Sequence, residues 1–233
     1  MPAVLEVKDL HAWYGESHVL HGVDFDVQEG EVVTLLGRNG AGRTSTLRAI
    51  LGLTGSRKGS VRLRGQEVIG MATHRIARLG IGYCPEERAI FSSLSAEENL
   101  MLPPELAKGG MSVEQIYAMF PNLKERAASQ GTRLSGGEQQ MLAVARILRT
   151  GARLLLLDEM SEGLAPVIVQ KLAEMVLTLR KQGYTIVMVE QNFRFAAPLA
   201  DRFFVMEHGR VLQVFTQAEL PANTERLHEY LGV

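Results

Sequence analysis

Gly37-Arg38-Asn39-Gly40-Ala41-Gly42-Arg43-Thr44-Ser45 follows an apolar run, Val32-Val33-Thr34-Leu35-Leu36, and opens onto Thr46-Leu47-Arg48-Ala49-Ile50-Leu51, which has helical spacing. Strand, glycine-rich turn and helix form the context in which a G-x-x-x-x-G-K-[ST] pattern makes a phosphate cradle. Glycines let the backbone turn tightly around an anion, so that successive N–H groups and the helix N-terminus face phosphate oxygens. Thr44 supplies the hydroxyl that holds Mg²⁺ in such loops. The lysine of the pattern, which reaches the β- and γ-phosphates, is here Arg43. Arginine keeps the charge but replaces a compact ammonium with a wide planar fork, so the exchange is not conservative at a tight site. Taken alone, the stretch also fits an ordinary βα turn, and the rest of the chain has to decide.

The 233 residues, 46% hydrophobic and 22% charged, give ample material for a core and fit one globular domain carrying a lobe. A net charge of −1 provides no overall field toward nucleic acid or acidic lipid. The single cysteine, Cys84, excludes an intrachain disulfide and fits a reducing compartment. It ends the apolar run Ile81-Gly82-Tyr83 and reads as a small buried hydrophobe. The N-terminal residues Met1 to Glu6 lack the basic-then-apolar order of a leader peptide, and no apolar run approaches the roughly 20 residues that span a bilayer. The six histidines, at 11, 18, 21, 74, 208 and 228, lack metal-ligand spacing and read as surface or turn residues.

Alternation predicts strands at Val4–Val7 and Val23–Val27, a hairpin that the Glu29-Gly30 turn feeds into the run at Val32. Ser60–Leu63 and Ile81–Tyr83 read as further strands with a helix over Thr73–Leu79 between them. Ser95-Ala96-Glu97-Glu98 and Ser112-Val113-Glu114-Gln115 fit the capping box, with Pro121 ending the second of these helices. Residues from about 90 to 148 therefore read as a helical lobe without strands. Leu154–Leu157 and Thr185–Val189 are continuous apolar runs, as in strands buried on both faces of a parallel sheet. Pro166 opens a long helix that Gly183 stops. Arg202–Met206 and Arg210–Phe215 flank a turn at Glu207-His208-Gly209, and Thr216-Gln217-Ala218-Glu219 caps a last helical segment. The class is α/β, with a mostly parallel sheet, antiparallel strands at one side and a helical insertion.

Three further stretches bear on the glycine-rich loop. Leu154-Leu155-Leu156-Leu157-Asp158-Glu159 ends a buried strand in two acids, where a Mg²⁺-holding aspartate belongs; Glu159 beside it can polarise a water. Leu134-Ser135-Gly136-Gly137-Glu138-Gln139-Gln140 is a second glycine-bearing helix start, hence a second anion site. Ser161-Glu162-Gly163-Leu164-Ala165-Pro166 follows the acids directly. In this order and spacing the chain resembles, over essentially its whole length, the ATP-binding-cassette family of transport ATPases, with a phosphate-loop NTPase core. The resemblance implies ATP and Mg²⁺ as cofactors and a second ATPase subunit, identical or an unlike paralogue, that sandwiches two ATP molecules head to tail. It implies that Gly37, Arg38, Asn39, Gly40, Ala41, Gly42, Arg43, Thr44 and Ser45 bind ATP from one side, while Ser135, Gly136 and Gly137 close on the γ-phosphate bound by the other subunit. Tyr14, a surface or core aromatic when read alone beside Trp13, matches the aromatic that stacks on adenine. Gly163 and its neighbours match the loop that couples the two sites.

Tyr83-Cys84-Pro85-Glu86-Glu87-Arg88, Glu97-Glu98-Asn99-Leu100, Glu138-Gln139-Gln140-Met141-Leu142-Ala143 and Val189-Glu190-Gln191-Asn192 are similar to one branch, the ATP-binding subunits of bacterial branched-chain amino-acid importers. That branch implies transmembrane permease partners, a periplasmic binding protein acting indirectly, no nucleic acid, and a peripheral place on the cytoplasmic face of the plasma membrane. It also accommodates Glu86, where most cassettes have a Mg²⁺-sensing glutamine, and Gln191, where most have a switch histidine; a carboxylate at 86 can still ligand Mg²⁺ through water. Thr44, Glu86 and Asp158 are thus the expected metal residues, and Glu159 and Gln191 the expected catalytic ones. Arg43, Met160 in place of a proline, and Glu162 depart from the pattern, and the lobe around Leu102–Gly110 is short. Two alternatives remain beside the importer: a urea or amide importer of the same branch, and a regulatory nucleotide-binding subunit whose hydrolysis Arg43 weakens. A DNA- or ribosome-directed cassette is set aside, for want of heptads, a basic tract or a second cassette.

Overall fold

The computed structural model describes residues 3–231, apart from the side chains of Thr224 and His228. Strands β1 (Ala3–Tyr14) and β2 (Ser17–Gln28) form the expected hairpin, longer at both ends than alternation alone indicates. With β4 (Ser56–Leu63) and β5 (Gln66–Glu67) they make an antiparallel sheet ordered β2-β1-β4-β5. The Glu29-Gly30 turn then carries the chain from this sheet into a second one.

The second sheet has six strands: β3 (Val32–Leu36), β6 (Ile81–Cys84), β7 (Leu154–Asp158), β8 (Thr185–Glu190), β9 (Arg202–Glu207) and β10 (Arg210–Thr216). Their order is β10-β9-β3-β8-β7-β6, parallel except for the β9–β10 hairpin at one edge. Its central strands are buried on both faces, which is why they read as unbroken apolar runs. Alternate residues serve opposite cores. Val33, Leu35, Leu154, Leu156, Val187 and Val189 pack toward the antiparallel sheet and α1 (Arg43–Ile50). Val32, Leu36, Leu155, Leu157, Ile186 and Met188 pack toward α6 (Gly136–Arg149) and α7 (Pro166–Lys181).

Between β4 and β6 lies α2 (Thr73–Ala77). The segment after β6 carries helices α3 (Ala96–Met101), α4 (Val113–Met119) and α5 (Pro121–Glu125), then α6, with one isolated bridge, Ser95–Gln130, among the described residues. Ser95 and Ser112 form the two expected capping boxes, and Ser135 with Glu138 forms a third. Pro121 does more than end α4: it sits at the first turn of α5, where its missing N–H costs nothing. Helix α7 ends in a Schellman arrangement around Gly183 (φ 78°), with Tyr184 N donating to Leu179 O and Gly183 N to Arg180 O. After β8 come α8 (Phe193–Ala196) and, at the end of the chain, α9 (Leu220–Leu231).

Three of the histidines expected at the surface or in turns lie instead half-buried within strands. His11, His18 and His21 gather with Trp13 on one face of the β1–β2 hairpin, Trp13 and His18 stacking at 4.2 Å between centroids. Cross-strand pairing brings together residues that are separate in sequence. His74 and His208 keep the expected surface and turn positions, and the side chain of His228 lies outside the described residues.

One interaction that the sequence does not announce anchors the helix behind the glycine-rich loop. Arg57 of β4 reaches across to the C-terminal end of α1 and donates to Ala49 O (2.6 Å), Ile50 O (3.1 Å), Val68 O (3.2 Å) and Met71 O (2.8 Å). A cation there also complements the negative end of the helix. Arg57→Met strands four carbonyls, and urea unfolding should show a loss of about 2–4 kcal/mol.

Candidate functional site

All the parallel strands end on one side of the sheet, and the register brings particular residues together there. Leu36, the last residue of β3, lies beside Glu190, and Asp158 of β7 lies beside Val189 of the intervening β8. Clefts at the carboxyl ends of parallel strands are the usual ligand sites of open α/β sheets.

The glycine-rich loop crosses this end of β3. Gly37 allows an approach that a Cβ would block, at 2.5 Å from Met206 O. Gly42 has φ 101° and N-caps α1, so the helix begins at Arg43. The β9–β10 turn braces the loop, with Gly209 N donating to Ala41 O at 2.9 Å. A Cβ at Gly209 would meet Val19 O at 2.3 Å, so this turn too requires glycine.

Arg43 is 4% exposed and points inward. Its Nη2 donates to Glu159 Oε1 at 2.8 Å and to Asn39 Oδ1 at 3.2 Å. Its Nη1 is buried without a hydrogen-bond partner among the described residues. What that atom lacks is an acceptor, and an anionic oxygen held by the loop suits it. Thr44 Oγ1 donates to Asp158 Oδ1 at 2.9 Å, and Tyr83 OH donates to Asp158 Oδ2 at 3.0 Å. Burial pushes the Asp158 carboxyl up, against these two hydrogen bonds. The Thr44 hydroxyl and Asp158 carboxylate are hard oxygen donors side by side, the donor set that Mg²⁺ prefers.

Glu159 follows β7 with φ 45°, in the left-handed region, and its N–H donates to Val189 O at 2.9 Å. Ligand oxygens of Glu86, Glu159 and Glu162 lie within 4.8 Å of one another. Burial first, then Glu162 and Glu86, push the Glu159 carboxyl up, against the pull of the Arg43 guanidinium paired with it. These groups line a cavity of about 450 Å³ with Val19 and residues 39–45.

The structure thus joins Asn39 to Ser45, Glu86 and Glu159 in one cleft, with Asp158 beneath Thr44. It does not bring Ser135, Gly136 or Gly137 to that cleft. They open α6 elsewhere, where Ser135 Oγ accepts from Glu138 N and the amides of Gly136 and Gly137 have no acceptor within the helix. Tyr14 ends β1, 38% exposed, beside Arg48 of α1 and outside the cavity lining. Gln191 follows β8 and is exposed. Glu190 escaped the sequence reading, although it ends a buried apolar strand as Asp158 does. It is 2% exposed, accepts from Ser161 Oγ at 2.7 Å and Ser161 N at 3.3 Å, and burial pushes it up to about 7. Cys84 is buried, its thiol pushed up to about 12 by burial.

The description of the ABC transporter family matches residues 20–162. The high-affinity branched-chain amino acid transport ATP-binding protein BraG of Pseudomonas aeruginosa is 40% identical, covering 98% of this chain and all of that one.

This chain belongs to the ABC transporter family.

A probable branched-chain amino acid transport ATP-binding protein, LivF of Archaeoglobus fulgidus, is 34% identical over 93% of this chain and 94% of its own. Among solved structures, an ATP-binding subunit of an ABC transporter is 27% identical with a TM-score of 0.82, covering 99% of this chain and all of that one. A dimeric cassette bound to ADP and phosphate is 23% identical with a TM-score of 0.78, covering 91% and 98%, and shares the fold. This ABC chain is therefore the ATP-binding subunit of its family, an ATPase, and no described helix is long and apolar enough to cross a membrane.

Glu190 gives this ABC subunit a pH signature. Folding raises its carboxyl from an ordinary 4.5 to about 7, so the folded chain holds a proton that the unfolded chain has lost across that interval. Stability at this site therefore falls as pH rises from 4.5 to about 7. Glu190→Gln should gain stability over the native chain progressively through that window and hold a constant advantage above it, as urea unfolding at pH 5, 6, 7 and 8 can measure.

Proposed function

We propose that this ABC subunit binds and hydrolyses Mg-ATP to drive an importer of branched-chain amino acids. In this reading it forms one cassette, with residues from about 90 to 148 as its helical lobe, and works as a dimer under transmembrane permease subunits on the cytoplasmic face of the membrane. The observation that carries the ATP reading is the meeting of loop and acids: Thr44 on Asp158 at 2.9 Å, with Arg43 buried beside Glu159. The cargo reading rests on the likeness to BraG, because a cassette does not itself touch cargo.

The loop amides of Gly37 to Ser45 would cradle the phosphates, with Arg43 supplying the cation and Tyr14 a face for the adenine. Thr44 and Asp158 would hold Mg²⁺, with Glu86 reaching it through water. Mg²⁺ supplies charge neutralisation on the phosphate oxygens when bound. Glu159 would take a proton from the attacking water, and Gln191 would offer a hydrogen bond at the γ-phosphate without changing charge. Ser135, Gly136 and Gly137 of the partner subunit would cover the outer side of the nucleotide. Their separation from the cleft within one chain supports that assignment. A second reading, a nucleotide-binding subunit with feeble hydrolysis, draws on the engagement of Glu159 by Arg43.

Phosphate release at saturating Mg-ATP tests both readings. Arg43→Lys should turn over several-fold faster than the native chain; a faster native chain would remove the case for Arg43 as a brake. Glu159→Gln should lose about two orders of magnitude of turnover or more. By light scattering, the same variant should be a dimer with Mg-ATP and a monomer without it. A monomer with ATP bound would argue for an unlike partner.

A further inference from the structure

The Arg43–Glu159 ion pair is buried, with side-chain exposures of 4% and 10%. One group is the cation of the phosphate loop, and the other is the carboxylate expected to activate water. Separating them without replacement would leave a buried guanidinium unpaired, which is strongly unfavourable. The pair can therefore open only when another anion takes the place of Glu159. Asn39, a neutral acceptor at 3.2 Å, is no substitute for a charge.

The loop offers two kinds of hold on a nucleotide, and they act at different places. Backbone amides and the start of α1 cradle the phosphates nearest the loop whatever Arg43 does. The guanidinium instead leans away toward β7, with Nη2 on Glu159, the residue beyond Asp158. The cleft it faces is lined by Glu86, Glu159 and Glu162 and so repels any anion that Arg43 does not receive. The unpartnered Nη1 is the atom from which an exchange would start.

We propose that the Arg43–Glu159 pair selects nucleoside triphosphate over diphosphate: a terminal γ-phosphate displaces Glu159 from Arg43, and a diphosphate leaves the pair closed. Cation and base are then released by one event. Arg43 turns to the phosphate, and Glu159 is freed only in a site that holds something to hydrolyse. The longer reach of arginine makes this contact with the base at the end of β7, one strand beyond the neighbouring β8, and two separate N–H faces allow the exchange to pass through a shared intermediate geometry. This inference rests on the nucleotide-site reading above.

Calorimetric titration with Mg-AMP-PNP and with Mg-ADP tests it, at protein concentrations where light scattering finds monomer, so that dimerisation does not inflate affinity. Glu159→Gln releases Arg43 and should tighten AMP-PNP about tenfold, the size of one charge-assisted hydrogen bond, while ADP stays within about twofold. Glu162→Gln removes a charge from the same acidic cluster but leaves Arg43 paired with Glu159, and should give no triphosphate-selective gain. Equal tightening of both by Glu159→Gln would overturn the proposal, as would a triphosphate-selective gain in Glu162→Gln. If neither nucleotide binds the native chain, the nucleotide-site reading itself falls, and the proposal with it.

Discussion

A buried guanidinium has to be neutralised, and much of the site follows from that need at Arg43. Because Gly42 takes a left-handed conformation and caps α1, residue 43 enters the helix on its inner side. Lysine there would bring a compact charge; arginine brings a fork that spans from the loop to the next acid. Glu159 meets it at 2.8 Å from a left-handed φ of 45°, a conformation disfavoured for a residue with a side chain. The Val189 carbonyl, which accepts its N–H, holds that conformation in place. The ion pair and the backbone of the β7–β8 edge therefore support each other.

The sheet supplies the distances. The loop strand β3 and the acid strand β7 are not neighbours; β8 lies between them. Arg43 and Thr44 must bridge one full strand to touch Glu159 and Asp158, and the parallel register sets all the strand ends level enough for them to do so. Side supports hold the loop in turn. Gly209 accepts the loop's close approach from the β9–β10 hairpin, and Arg57 ties the far end of α1 to the antiparallel sheet. The helix carrying Thr44 is thus fixed at both ends by elements remote in sequence.

Those remote supports mark where sequence reading stopped. Strands buried on both faces left apolar runs at Leu154 and Thr185, and capping boxes at Ser95 and Ser112 fixed helix starts, because those signals are local. The glycine-rich loop was readable because its glycines answer to backbone geometry within six residues. Arg57 was not, since nothing nearby in sequence shows that its partners are carbonyls at 49, 50, 68 and 71. The histidines scatter along the chain and meet only once β1 and β2 pair. Arg43 read as a weakened lysine, because its partner Glu159 lies 116 residues away. Glu190 does carry a local signal, an acid closing an apolar strand as Asp158 does.

The two glycine-bearing helix starts share one chemistry and stand apart. The start of α1 faces a cleft of carboxylates; the start of α6 presents Gly136 and Gly137, with Ser135 spent on its own capping box with Glu138. Gly137 is fixed by packing, since a Cβ there would meet Ile168 Cγ2 of α7 at 2.7 Å. Helix α6 is also tied to the other side of the cleft. Arg88, two residues beyond Glu86, donates to Gln139 and Gln140, and Gln140 reaches Cys84 at the end of β6. A displacement at Glu86 would therefore be felt at the start of α6 through contacts already made within the chain. The start of α6 is thus mechanically joined to the cleft while contributing nothing to its lining.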